Sequence, residues 1–263
     1  MTRRIHRTKR FELSLLITDP EFIKPPRDAQ RNWLLNRAVR EFSDDLNQLD
    51  TLASRFAAGK DRGGSTHDLA SADLGDQEIM EDWQIPIMER MAEIVANPSG
   101  HILEVGFGRG VSATMIQEAG VAAHTIVECN EPVISRFEEW RAQRPNADIR
   151  LIRGRWQDVV DQFGLYDGIF FHTYPLTVEE YLAYVNDSVT FAEAFFPIAS
   201  SCLRPGGVLT YLSNEIDSMS RAHQRLLLNH FSEFTVSCQA IEVPDDVADA
   251  WWADSMVIVK ATK

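Results

Sequence analysis

The run Glu104-Val-Gly-Phe-Gly-Arg-Gly110 places glycines at 106, 108 and 110, where a backbone that turns tightly has no Cβ to keep a ligand away. Twenty residues past Gly108 stands Glu128, at the spacing from which a carboxylate accepts hydrogen bonds from both hydroxyls of a ribose. Trp156-Gln-Asp158 follows at a further turn. A dinucleotide brings a pyrophosphate and favours G-x-G-x-x-G opening onto a free helix N-terminus, whereas this turn reads G-x-G-x-G behind the acid Glu104. A carboxylate there suits an ammonium. S-adenosylmethionine carries an ammonium, a sulfonium and a ribose and no phosphate, so these residues predict it as the cofactor.

The elements that must position these groups follow from periodicity and punctuation. His101–Val105 is a short apolar strand running into the glycine turn, and a helix follows over Val111–Ala119. Ala123–Glu128, Ile149–Ile152, Tyr166–Phe171 and Val208–Tyr211 read as further strands, with helices over Pro132–Arg141 and Val178–Leu203 and a turn at Arg204-Pro-Gly-Gly207. Ile79–Ala96 reads as a helix interrupted by Pro86. Phe234–Val243 and Ser255–Ala261 make a late pair of strands. Repeated β-α units predict a doubly wound α/β fold with a mostly parallel, Rossmann-like sheet and an antiparallel C-terminal hairpin.

Ahead of this domain, assigned to residues 76–263, residues 1–75 form a helical extension and linker. Leu35, Val39, Phe42, Leu46, Leu49, Ala53 and Phe56 alternate at spacings of four and three, so a helix over 28–57 either lies on its own domain or pairs with a second copy in a homodimer. Residues from Gly63 to Asp73 read as a polar linker. Residues 1–60 hold 12 Lys/Arg against 8 Asp/Glu in a chain of net charge −13. The expected partner is a small molecule, with no nucleic acid and no membrane. The chain has no apolar run long enough to span a bilayer and no secretory leader, so cytoplasm is the default compartment. Cys129, Cys202 and Cys238 are widely spaced and read as reduced, and no ligand spacing for a metal occurs.

Ile102-Leu-Glu-Val-Gly-Phe-Gly108, Ile126-Val-Glu-Cys-Asn130, Tyr166-Asp-Gly-Ile169, Thr173-Tyr-Pro-Leu176 and Leu203-Arg-Pro-Gly-Gly-Val-Leu-Thr-Tyr211 together resemble the guanidinoacetate N-methyltransferases, class I S-adenosylmethionine-dependent methyltransferases. The resemblance runs from about Glu78 to the C-terminus. It implies that Glu104, Gly106, Gly108, Glu128, Asn130, Trp156 and Gln157 line the cofactor pocket, with Met80 and Met88 on the sulfonium side.

The chain departs from that family where the acceptor binds. The family holds the guanidino group with a Glu in Met-Glu-Arg-Trp-Glu-Thr-Pro and an Asp immediately before Thr-Tyr-Pro-Leu; here Met80-Glu-Asp-Trp-Gln-Ile-Pro86 and Phe171-His-Thr-Tyr-Pro-Leu176 put Gln84 and His172 in those places. A guanidinium beside a neutral amide and an imidazole loses charged hydrogen bonds worth about 1.5–3 kcal/mol each. Gln84 and a donating His172, with Tyr174 beside them, suit an anionic acceptor. The leading expectation is thus O-methylation of a small organic acid to a methyl ester, its carboxylate aligned rather than activated. The alternatives are N-methylation of a guanidino or amino compound with His172 as a neutral base, Glu81, Asp82 or Glu215 restoring the missing charge; methylation of a hydroxyl; and a cofactor-binding partner protein without catalysis.

Overall fold

The computed structural model describes residues 73–97, 99–176, 180, 189–213, 215, 217–244 and 254–263. The helix expected over 28–57, the linker after it and most of the first half of the helix read from Val178 lie outside these residues.

Seven strands form one sheet: β1 (His101–Val105), β2 (Ala123–Glu128), β3 (Ile149–Arg153), β4 (Tyr166–Phe171), β5 (Leu203–Leu212), β6 (Glu233–Ala240) and β7 (Ser255–Thr262). Their order is β3-β2-β1-β4-β5-β7-β6. β1 pairs in parallel with β2 and β4, β2 with β3 and β4 with β5, while β7 runs antiparallel between β5 and β6. The late strands are therefore the hairpin expected at one edge. The helices are α1 (Ile85–Val95), α2 (Val111–Glu118), α3 (Glu131–Ala142), α4 (Phe196–Cys202) and α5 (Arg221–His230).

Period-two alternation sorts the strand side chains onto two faces. Leu103, Val105, Val127, Ile152, Ile169 and Phe171 enter one core with Phe196 and Ala199 of α4 and Leu227 of α5. Ile126 and Ile149 face the other way, against Ala113 of α2 and Val133 and Phe137 of α3. α1 lies close on β4, where a Cβ on Gly168 would stand 2.8 Å from the Val95 carbonyl oxygen.

Four elements differ from the sequence reading; one is the helix expected over Val178–Leu203, whose described part has Thr190 in extended backbone, a 3-10 helix over Phe191–Phe195 and an α-helix only over Phe196–Cys202. A single helical turn, Asp76–Ile79, and a 3-10 turn, Asp82–Gln84, precede α1, and Pro86 occupies the first turn of α1. Proline has no N–H, and at a helix start none is needed, so Pro86 begins the helix instead of interrupting one. β5 starts at Leu203 and carries the Arg204-Pro-Gly-Gly207 run as a bulge. Tyr166 pairs with Leu203 but Gly168 with Val208, and the Arg204 guanidinium reaches the Asp167 carboxylate at 2.9 Å. Finally α5, absent from the sequence reading, is capped by the Ser220 hydroxyl, which accepts from the His223 N–H.

Candidate active site

The chain winds outward from β1 to β2 and β3, then returns across β1 to β4, so connections leave β1 and β4 in opposite directions and open a cleft at their carboxyl ends. Backbone bonds hold its floor. Gly106 N–H donates to the Val127 carbonyl at 2.9 Å, His172 N–H to that of Val105 at 3.1 Å, and Gly154 N–H to that of Glu128 at 2.9 Å. Gly106 has φ +94°, and a Cβ there would sit 2.3 Å from the His172 carbonyl oxygen. Gly110, at φ +74°, caps α2, and a Cβ on it would strike the Phe107 ring at 2.7 Å. Both glycines are thus required by conformation and by close approach.

The cleft is open to solvent. Of the residues expected around the cofactor, Gly106, Glu128, Trp156 and Gln157 line it, together with Tyr174 of the expected acceptor site. The Glu128 carboxylate receives four backbone N–H groups: Cys129 at 2.7 Å and Asn130 at 2.9 Å on one oxygen, Phe107 at 3.0 Å and Gly108 at 3.4 Å on the other. It braces the glycine turn, and the long Gly108 bond is the weakest of the set. Trp156 stands at the cleft wall with its ring edge-on to Phe171 and Phe195.

Other expected residues lie elsewhere. Glu104 is fully buried, taking the Ser112 hydroxyl on one oxygen and facing His124 Nε2 at 3.0 Å with the other. That second approach is close but misaligned for a hydrogen bond. Asn130 caps α3, its side-chain oxygen accepting from Val133 N–H at 2.9 Å. Met80 and Met88 are buried, and Gln84 closes the 3-10 turn. The 79–84 segment is nevertheless strapped to the glycine turn. Arg109 Nη1 donates to the Met80 carbonyl at 2.9 Å and to the Asp82 carboxylate at 2.6 Å, holding the Asp82 carboxyl below its usual range.

The sequence reading did not pick out Arg155 and Glu180, which cross the cleft. Glu180 accepts from the Arg155 guanidinium, from Gln157 Nε2 at 3.1 Å and from Leu176 N–H at 2.8 Å. The signal was one basic residue before Trp156 and one acid beyond Leu176; nothing in a linear pattern joins them.

His172 leaves the end of β4 beside Gly106. Its ring is desolvated, which pushes its pKa down from 6.5 to about 4. Removing water penalises the charged form. The ring is therefore neutral at pH 7, and the protonated donor that would attract an anionic acceptor is not what this environment favours.

A family model for guanidinoacetate N-methyltransferase matches residues 63–243. The chain belongs to this family. Its domain is a class I S-adenosylmethionine-dependent methyltransferase domain. The chain is also similar to protein arginine N-methyltransferase 2 of Yarrowia lipolytica, 26% identical over 74% of this chain and 39% of that protein. The same-named protein of Candida glabrata is 29% identical over 44% and 30%, so the chain spans well under half the length of these relatives. Among solved structures, precorrin-6y C5,15-methyltransferase from Geobacter metallireducens aligns at a TM-score of 0.49 and 11% identity, covering 76% of this chain and 98% of that one.

The residues present fit S-adenosylmethionine. The glycine turn, with no room for a Cβ at Gly106, lies between a carboxylate at the end of β2 and an aromatic wall, and among the described residues lining the cleft the one cationic side chain is Arg155, held by Glu180, where a pyrophosphate would call for several. Gly106, Val127, Glu128, Cys129, Trp156 and Gln157 can hold the nucleoside. When bound, the cofactor supplies an electrophilic methyl group on a sulfonium.

Proposed function

We propose that this chain methylates a nitrogen of a guanidino or amino compound. The observation that carries the reading is the match of residues 63–243 to the guanidinoacetate N-methyltransferase family, with His172 leaving β4 beside Gly106. An uncharged imidazole brings no positive charge to a carboxylate acceptor. It offers instead a lone pair to an acceptor N–H, which orients the nitrogen while Gly106 leaves the approach open. A ring with so low a pKa holds a proton poorly, so its part is to align the N–H and pass the proton on to water. The family's name and those of the two arginine N-methyltransferases support the same bond to nitrogen. Glu128 and the Trp156-Gln157 pair serve the cofactor; Gln84 and Tyr174 complete the acceptor side.

The test is mass spectrometry of reactions of S-adenosylmethionine with guanidino compounds, amines and small carboxylic acids, followed by mild alkali. An alkali-stable methylated guanidine or amine is expected. A product whose methyl group is lost to alkali is an ester and overturns the reading. His172→Ala should abolish acceptor turnover and leave cofactor affinity within about threefold, because this reading assigns the ring to the acceptor and not to the nucleoside; equal loss of both would misplace it.

A further inference from the structure

A nitrogen acceptor that arrives as a guanidinium or ammonium needs a negative charge at its site, and most acids near the carboxyl edge are already engaged. Glu128 receives four N–H groups. Glu180 faces Arg155, and Asp82 faces Arg109. Glu104 is sealed against Ser112 and His124, and Glu81, 6% exposed, takes the Trp83 indole N–H at 2.6 Å.

Glu215 stands differently. β4 and β5 run parallel with Phe170 opposite Thr210, so the residues after them, His172 and the loop carrying Glu215, leave the sheet side by side. The backbone there is pinned to β7. Ser213 N–H donates to the Val257 carbonyl and Val257 N–H to that of Glu215, each at 2.9 Å. One carboxylate oxygen accepts from Ser220 N–H at 2.7 Å, the other meets His223 Nδ1 at 2.9 Å, and His223 Nε2 meets the Tyr211 hydroxyl at 2.6 Å. His223 and Tyr211 are buried, while the Glu215 side chain stays 19% exposed. With Tyr211 O–H donating to Nε2, the ring carries its proton on Nδ1 and donates it to the carboxylate. Each oxygen keeps a lone pair free for a further donor.

We propose that Glu215, oriented by His223 and Tyr211, is the carboxylate that binds the cationic group of the acceptor. The proposal rests on the nitrogen-acceptor reading and assigns the charge which that reading requires. Glu215 is the binding group; His223 and Tyr211 are positioning residues that fix its direction.

Steady-state kinetics on the full chain test it, with methylguanidine and agmatine as acceptor probes. Glu215→Gln keeps the acceptor atom for Ser220 and removes the charge. The acceptor KM should rise about thirtyfold, with kcat within about threefold, because charge-assisted hydrogen bonds are lost from binding. Affinity for S-adenosylhomocysteine should stay within about threefold, and the melting temperature should fall by a few degrees at most, since the amide then faces the His223 Nδ1–H that the carboxylate accepted. Glu215→Asp should recover part of the KM. Tyr211→Phe should raise KM by about threefold without moving kcat, the smaller effect expected of a group acting through another. Unchanged KM in Glu215→Gln, or parallel loss of cofactor affinity and fold in both Glu215 variants, would make the cluster a structural pin and overturn the proposal. A wild-type protein that methylates neither probe, nor any other guanidine or amine, overturns the nitrogen-acceptor reading itself and Glu215's role with it, and does so before any substitution is made.

Discussion

Gly106 and His172 meet through a backbone contact, and that contact sets what each can tolerate. A methyl group on residue 106 would lie 2.3 Å from the His172 carbonyl, at a φ of +94° that L-residues rarely adopt. Gly106→Ala should therefore cost about 2 kcal/mol of stability and weaken S-adenosylhomocysteine binding tenfold or more; calorimetric titration and thermal melting check both. A normal titration would show the cradle to be slack. At position 172 the prediction is spectroscopic. The imidazole should show no protonation shift by NMR down to about pH 5, since desolvation holds its pKa near 4. A midpoint near 6.5 would mean the ring is hydrated and available as a cation.

Among the elements, a strap joins the glycine turn to the 79–84 segment, which the proposed function assigns to the acceptor side. Arg109 leaves the turn itself and holds the Met80 carbonyl and the Asp82 carboxylate, and a Cβ on Gly108 would touch Ile79 at 3.1 Å. Arg109→Gln should free the segment, raising acceptor KM by about tenfold while cofactor affinity moves less than threefold. Equal changes in both would make Arg109 part of the cofactor site alone. Under the same turn, Glu104 is fully buried, with His124 Nε2 3.0 Å from one of its oxygens. His124→Phe should cost about 3 kcal/mol, measured by urea unfolding, because a buried carboxylate loses its partner; Gln117, 3.2 Å from His124 Nδ1, loses one as well.

For the whole molecule the depressed groups act in one direction. His172 and His101 are both lowered by desolvation, and Glu215 is lowered through His223 and Ser220 against the opposing effect of burial. For the histidines the unfolded chain binds more protons below their unfolded pKa, so their stabilisation is complete above about pH 6.5 and is lost as pH falls toward the folded values. Glu215 contributes stability above its unfolded pKa and loses it as pH falls through its lowered folded value. All three destabilise the fold in acid. His172 supplies up to about 3 kcal/mol of this between pH 6.5 and 4. The urea midpoint should fall across that window, and His172→Asn should flatten it; an unchanged slope would assign the loss to other groups.

β1, β2 and β4 were legible to the residue in the linear pattern: His101–Val105, Ala123–Glu128 and Tyr166–Phe171 are apolar runs bounded by turn residues. With them came the glycine turn, the acid after β2 and the Trp156-Gln157 corner, because local backbone chemistry dictates all three. The mostly parallel sheet and the edge hairpin followed from repeated β-α units and a final pair of strands, while the strand order came only with the structure. What each polar group touches was not legible. Glu104 and Asn130 have the types a ligand site uses, yet one is held by Ser112 and His124 and the other caps a helix. The Arg155–Glu180 crossing and the Glu215–His223–Tyr211 cluster join residues brought together by folding. The lowered pKa of His172 likewise depends on desolvation. Residue type and short-range spacing determine backbone geometry, whereas charge state and partner are properties of the solvent-excluded space that only the packed chain creates.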